Sequence, residues 1–166
     1  HDLAIILVAT IGGLVIEAWG TQTNLWHYYT SERPPLWIVP AWPVATLSID
    51  RMTRLLDFIV ARASLWIPSP TPGIALRTAT RGLSFRLLYW TIFAAFIAIM
   101  LLFIAPTLEK PYTVFAVLLC ILLILSPIDH RHTILVFAAG AGLGYFLELW
   151  GTTRECWAYY TLETPP

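Results

Sequence analysis

Apolar residues along this chain gather into long runs instead of alternating with polar ones, and five such runs stand out. They extend from about Leu3 to Trp19, Leu36 to Ile49, Leu87 to Ala105, Tyr112 to Ile128 and Thr133 to Trp150. A helix that crosses a bilayer needs about 20 mainly apolar residues, so the pattern predicts an all-α, polytopic transmembrane bundle. Pro40 and Pro43 lie near the start of the second run, where a helix does not need their missing N–H groups. The period changes over 49–66. Ile49, Met52, Leu56, Ile59, Ala63 and Trp66 recur every three or four residues, with Asp50, Arg51, Arg54 and Asp57 off that stripe. This predicts an amphipathic extension of the second helix, bent onto the membrane surface, with an Asp50–Arg54 pair at i,i+4. The run Pro68-Ser69-Pro70-Thr71-Pro72-Gly73 then ends it as a linker.

Composition strengthens the membrane reading. The chain is 58% hydrophobic and 12% charged. Soluble domains carry about 25% charged residues, so this one lacks the polar surface to face water all round. Net charge is zero, which offers nothing to a nucleic acid. Seven of the ten Lys and Arg residues (Arg51, Arg54, Arg62, Arg77, Arg81, Arg86 and Arg131) fall in connections that alternate to one side of five spans. The excess of positive charge marks the cytoplasmic side, in a bacterial inner (plasma) membrane. Cys120 and Cys156 have no metal spacing and read as small apolar residues. The turn Asp129-His130-Arg131-His132 is read as a polar connection.

The chain repeats itself. Residues 13–35 read GLVIEAWGTQTNLWHYYTSERPP and residues 144–166 read GYFLELWGTTRECWAYYTLETPP. At an offset of 131, twelve of 23 positions are identical, too many for coincidence. Four crossings separate the copies, so both lie on the periplasmic or outer side. The two halves are then related as in parallel-repeat membrane folds, with both motifs facing one cleft. One membrane domain, 1–166, is expected: 3–49 as the first repeat with two spans, 50–86 as the cytoplasmic helix and linker, 87–128 as the third and fourth spans, and 133–166 as the second repeat. A sixth span, matching Leu36–Ile49, is expected after Pro166. Ala9 and Gly13, like Gly140 and Gly144, are small residues four apart. They bring the two motif-bearing helices into the bundle interior, where they can meet.

Glu17 and Glu148 are the candidate catalytic residues. Each lies within an apolar helix just before Trp-Gly-Thr, with Gly20 and Gly151 read as left-handed helix-terminal glycines. Low dielectric and the negative end of a helix dipole both disfavour an ionised carboxylate there. A neutral carboxyl is a general acid in waiting, and ionisable residues inside membranes mark function. A structural clamp, with each Glu bonded to Thr21, Thr152 or a tyrosine, fits the same pattern. A metal held by Glu17, Glu148 and His27 would lose its His at Ala158 in the second copy. Trp19, Thr21, Trp26, Tyr28 and Tyr29, with Trp150, Thr152, Trp157, Tyr159 and Tyr160, are the candidate substrate-binding residues. Trp and Tyr also form ordinary interfacial belts. Aromatic faces stabilise a developing cation as well. Glu32 and Glu163 lie outside the spans and read as solvated.

The motif resembles that of the integral-membrane carotenoid hydratase family of carotenoid biosynthesis. Glu17, Gly20-Thr21, Trp26, Tyr28 and Pro40-Ala41-Trp42 follow its order, as do Glu148, Gly151-Thr152, Trp157 and Tyr159. A Phe-Gly pair of the family stands here as Leu25-Trp26 and Cys156-Trp157, and its Tyr-x-Tyr as a Tyr-Tyr doublet. The resemblance implies a cofactor-independent, acid-catalysed hydration or cyclisation of an isoprenoid polyene. Two other functions fit the sequence: a non-catalytic subunit of a larger energy-transducing or transport assembly, with protein partners, and a small lipid or proton-coupled carrier. The expected partners are membrane lipids or a hydrophobic isoprenoid.

Overall fold

In a computed structural model, residues 1–66, 74–127 and 129–160 are described. Five α-helices account for most of them: α1 (Asp2–Gln22), α2 (Ala41–Trp66), α3 (Ile74–Ile104), α4 (Pro111–Leu125) and α5 (His130–Thr153). Two short strands, β1 (Trp26–Tyr28) and β2 (Trp157–Tyr159), follow α1 and α5. Among the described residues, three stretches are long and apolar enough to cross a membrane: Asp2–Gln22, Ser84–Thr107 and His130–Thr153. Helix α4 is apolar but shorter. Each predicted run therefore holds a helix.

Two boundaries differ from expectation. Leu36–Ile38 is a 3-10 turn, and α2 begins only at Ala41, after Pro40. Proline at 40 leaves no N–H to continue a helix from the turn. Helix α2 then runs unbroken to Trp66, so the stripe beginning at Ile49 belongs to one continuous helix. Its Ile49, Met52, Leu56, Ile59 and Ala63 are partly or fully exposed. Helix α3 starts at Ile74, well before Leu87. The Pro68–Gly73 linker, Ile128, and Glu163 with the final Pro-Pro lie outside the described residues.

Helix α2 is the common support: both α1 and α5 pack on it. The small residues serve that packing. A Cβ at Gly13 would lie 2.2 Å from the Trp42 ring, and one at Gly140 would lie 3.7 Å from Ile49. So the two motif-bearing helices meet α2 through these positions instead of packing chiefly on each other. At the far end from the strands, the Arg51 guanidinium pairs with Asp50 and, at 2.6 Å, with Asp2 of α1. Arg54 reaches Asp50 at 3.1 Å, the expected i,i+4 pair, and Arg131 reaches Asp57 at 2.6 Å. Pairs this exposed add little stability, about 0–1 kcal/mol each. Asp129 caps α5 by accepting from the backbone N–H groups of Arg131 and His132.

A second packing centre joins α3, α4 and α5. Tyr89 is 1% exposed, packs with Phe93 and Ile134, and donates its hydroxyl to the Ile124 carbonyl. Replacing Tyr89 by Phe removes one buried hydrogen bond and should cost about 1 kcal/mol. Replacing it by Ala opens a cavity and should cost about 3 kcal/mol. Thermal unfolding in micelles should rank wild type above Phe above Ala; equal melting of all three would show that Tyr89 holds nothing together.

Candidate functional site

The two motif copies fold alike, beginning with how each helix ends. Helix α1 continues through Trp19, Gly20 and Thr21 to Gln22, and α5 continues through Trp150, Gly151 and Thr152 to Thr153. The left-handed residues come later, at Asn24 (φ 58°) and Glu155 (φ 56°), and no glycine among the described residues has positive φ. Gly20 and Gly151 are therefore not the helix-terminal glycines the sequence suggested. Each is a landing place for a ring. A Cβ at Gly20 would lie 1.8 Å from the Trp26 indole, and one at Gly151 1.9 Å from the Trp157 indole.

The chain returns over each helix end because its N–H groups find the last carbonyls. Leu25 N–H donates to Gly20 O at 2.9 Å, and Cys156 N–H donates to Gly151 O at 2.8 Å. Strands β1 and β2 then pair antiparallel, with Trp26 opposite Tyr159, His27 opposite Ala158 and Tyr28 opposite Trp157. His27 thus faces its own counterpart, and Trp26 and Tyr28 each face the counterpart of the other, which is the register of a local twofold centred on His27 and Ala158. Tyr29 N–H to Cys156 O and Tyr160 N–H to Leu25 O extend the ladder symmetrically, both at 3.1 Å.

This return carries an indole and a phenol back to each glutamate. Oε2 of Glu17 accepts from Trp26 Nε1 at 3.2 Å and from the Tyr28 hydroxyl at 2.8 Å. Oε2 of Glu148 accepts from Trp157 Nε1 at 3.1 Å and from the Tyr159 hydroxyl at 2.8 Å. Oε1 of Glu17 takes a third donor, Trp42 Nε1 of α2, at 3.2 Å, and Glu17 is 4% exposed. Among the described residues no donor reaches Oε1 of Glu148, whose side chain is exposed. Burial, and then the adjoining carboxylate, raise both the Tyr28 and Tyr159 phenols above the usual range, so both keep their protons.

Glu17 and Glu148 line one cavity of about 350 Å³ with Trp26, Tyr28, Trp157 and Tyr159. Trp42 also lines it, and the remaining lining is apolar: Ile16, Ile38, Ala41, Ala45, Leu143, Gly144 and Leu147. That volume is in the range of small-ligand sites. The Trp26 and Tyr159 rings meet edge-on at 6.2 Å, and Tyr28 and Trp157 do the same at 6.2 Å, forming the aromatic end of the cavity.

The other candidate residues fall elsewhere. Trp19 donates to Thr113 at 3.0 Å and lines a separate, wholly apolar cavity of about 240 Å³ between α1, α3 and α4. Thr21 and Thr152 donate to the backbone carbonyls of Glu17 and Glu148, not to their carboxylates. Tyr29 is 70% exposed and Trp150 51%. Tyr160 packs on Phe103 of α3 and donates to its carbonyl. His27 lies with Tyr29 along a different hollow, away from both carboxylates. Cys120 is exposed and Cys156 half-buried; neither is in a disulfide. Trp42 is the site residue that the repeat alone did not single out. Its signal is the Pro40-Ala41-Trp42 stretch, which places an indole in the first turn of α2.

No family model, curated protein or solved structure matches the chain. The site is therefore read from its own geometry.

Overpacking should expose the role of Gly20. Gly20→Ala puts a methyl group into the Trp26 ring and should cost about 1–3 kcal/mol, because the indole must leave its place beside Glu17. A methyl group added at Gly12 would meet nothing within 4 Å, and Gly12→Ala should be neutral or slightly stabilising. Melting temperature with tryptophan fluorescence distinguishes them; equal behaviour of the two variants would contradict the ring contact.

Proposed function

We propose that this chain is an integral membrane protein whose paired glutamates protonate the end of an isoprenoid polyene, leading to hydration or cyclisation. The observation that carries this reading is that Glu17 and Glu148, 131 residues apart, line one otherwise apolar and aromatic cavity. The resemblance to the carotenoid hydratase motif points the same way, since Glu17, Trp26, Tyr28 and Trp42, like Glu148, Trp157 and Tyr159, are among the residues that carry it and also line the cavity.

In this reading the proton moves through the Glu–Tyr pairs. A proton on Oε2 of a glutamate donates to the adjoining phenol oxygen, and the phenol turns its own hydrogen towards the cavity. The indole N–H bonds to the carboxyl need not break. The phenol hydrogen passes to an alkene carbon as the carboxyl proton passes to the phenol oxygen, leaving a carbocation and a carboxylate. Indole and phenol faces and the carboxylates steady the cation. Water, or a second alkene of the same molecule, attacks it, and the proton released in either case returns to the carboxylate. No cofactor is required.

We further read the chain as a tandem parallel repeat of spans in a bacterial inner (plasma) membrane, with the paired strands at the outer face. The basic residues of α2, α3 and the start of α5 support that orientation.

A clamp in a non-catalytic membrane subunit is the second reading. It is favoured by the three donors on Glu17, which join α1, β1 and α2. Expression in a bacterial host that accumulates acyclic carotenoids separates the two. Chromatography and mass spectrometry should reveal a hydrated or cyclised product. Glu17→Gln and Glu148→Gln, at equal membrane abundance, should each lower its yield about 100-fold or more. An unchanged pigment profile across several polyenes would favour the clamp.

A further inference from the structure

The apolar cavity beside Trp19 shares no lining residue with the one between the glutamates. Its α3 wall runs from Phe96 to Ile104 and its α4 wall from Ala116 to Ile124, about 12 Å each at 1.5 Å per residue. A volume of about 240 Å³ drawn out over that length has the width of one hydrocarbon chain. The end at Trp19 and Ile104 is closed, and its polar groups bond to one another. Trp19 donates to Thr113 at 3.0 Å, Thr113 to Thr107 at 3.1 Å and Thr107 to the Ile104 carbonyl at 2.9 Å, with both threonines fully buried. The other end meets charge. Leu123 lines this groove and also a polar hollow of about 610 Å³, at the end of the bundle far from the strands. Tyr89 in the wall of the hollow donates to the carbonyl of Ile124 in the wall of the groove, so the two adjoin. Asp57, Ser126, Asp129, Arg131, His132 and Thr133 line the hollow. Arg131 and Asp57, paired at 2.6 Å, remain 37% and 49% exposed, so both signs of charge are still open to a ligand. A guanidinium has five N–H donors, more than one carboxylate oxygen uses.

We propose that groove and hollow together bind one bilayer phospholipid with a zwitterionic, amine-bearing headgroup. One acyl chain fills the groove between α3 and α4, and the other stays in the bilayer. The phosphate lies against Arg131 and His132, and the ammonium against Asp57 and Asp129. Charge selects the headgroup: a purely anionic one would meet two carboxylates, whereas phosphate and ammonium together answer both signs. The polar groups select the direction. At the Trp19 end they are spent on one another, so the chain enters past Leu123, where the charged side chains are. The width of the groove excludes fused-ring lipids.

The test uses the 166-residue chain with Cys156→Ser in detergent micelles, so that Cys120 in the groove wall is its one thiol. Dioleoylphosphatidylethanolamine should slow the modification of Cys120 by N-ethylmaleimide. Native mass spectrometry should show it retained about tenfold or more tightly than dioleoylphosphatidylglycerol or dioleoylglycerol, which carry the same chains. Arg131→Gln should lower its retention towards that of dioleoylglycerol, and Asp57→Asn should remove the preference for the amine over the glycerol headgroup. Ala116→Phe, which fills the groove, should abolish retention, whereas Leu118→Phe, on the exposed side of the same helix, should leave it unchanged. Equal retention of the three lipids, retention that leaves Cys120 unprotected, or indifference to Ala116→Phe would overturn the proposal. An acyclic polyene that displaces the phospholipid and protects Cys120 would overturn it in favour of an isoprenoid occupant. Polyene conversion plays no part in the readout, so failure here leaves the proposed reaction to its own test.

Discussion

A carboxylate placed inside an apolar helix must find hydrogen-bond donors, and much of this molecule is arranged around that requirement at Glu17. Leaving such a group buried and unpaired costs about 1–3 kcal/mol or more, whereas each hydrogen bond made contributes about 0.5–1.5 kcal/mol. Three donors come from two directions. The segment after α1 turns back through a left-handed Asn24 and brings Trp26 and Tyr28. Helix α2 brings Trp42 from its first turn. The carboxylate thus fixes the strand over its own helix end and the position of α2 beside it. Indole N–H groups only donate, so they cannot trade roles with it.

The same requirement explains the glycines. Trp26 can reach Glu17 nine residues back only by crossing the helix at Gly20, and Trp157 crosses at Gly151 in the same way. Once both segments have returned, their free backbone edges lie side by side and pair as β1 and β2. The pairing sets Trp26 against Tyr159 and Tyr28 against Trp157, which closes the aromatic end of the cavity. Carboxylate, glycine, ring and strand form one chain of dependence, used twice.

Much of this was legible beforehand. Runs of apolar residues located five helices because length and hydropathy suffice to mark such segments, and the repeat singled out both glutamates and the four rings that hold them. Other features were not legible. Periodicity over 49–66 suggested a bent extension, but nothing in the residues breaks the helix between Ile49 and Trp66, and it runs through. Trp-Gly-Thr reads as a helix stop because glycine often ends helices; here glycine was needed for close approach, a property that shows only when the partner ring is placed. Trp19, Thr21, Tyr29, Trp150, Thr152 and Tyr160 recur in both copies as faithfully as the site residues do. Repetition marks what the local fold needs, including hydroxyls bonded back to their own helix, and does not say which side chains meet a cavity. Trp42 lay outside the repeated segment, so no internal comparison brought it forward.

If the proposed chemistry is right, both carboxyls must respond to a molecule in the shared cavity, through Tyr28 and Tyr159. Infrared difference spectroscopy of the protein in lipid, recorded with and without an acyclic polyene, observes that response itself. Carboxyl and phenol bands should change on addition, with one carboxyl component lost in Glu17→Gln and another in Glu148→Gln. A polyene that binds while every carboxyl and phenol band stays fixed would refute the proton relay and leave the two glutamates as clamps.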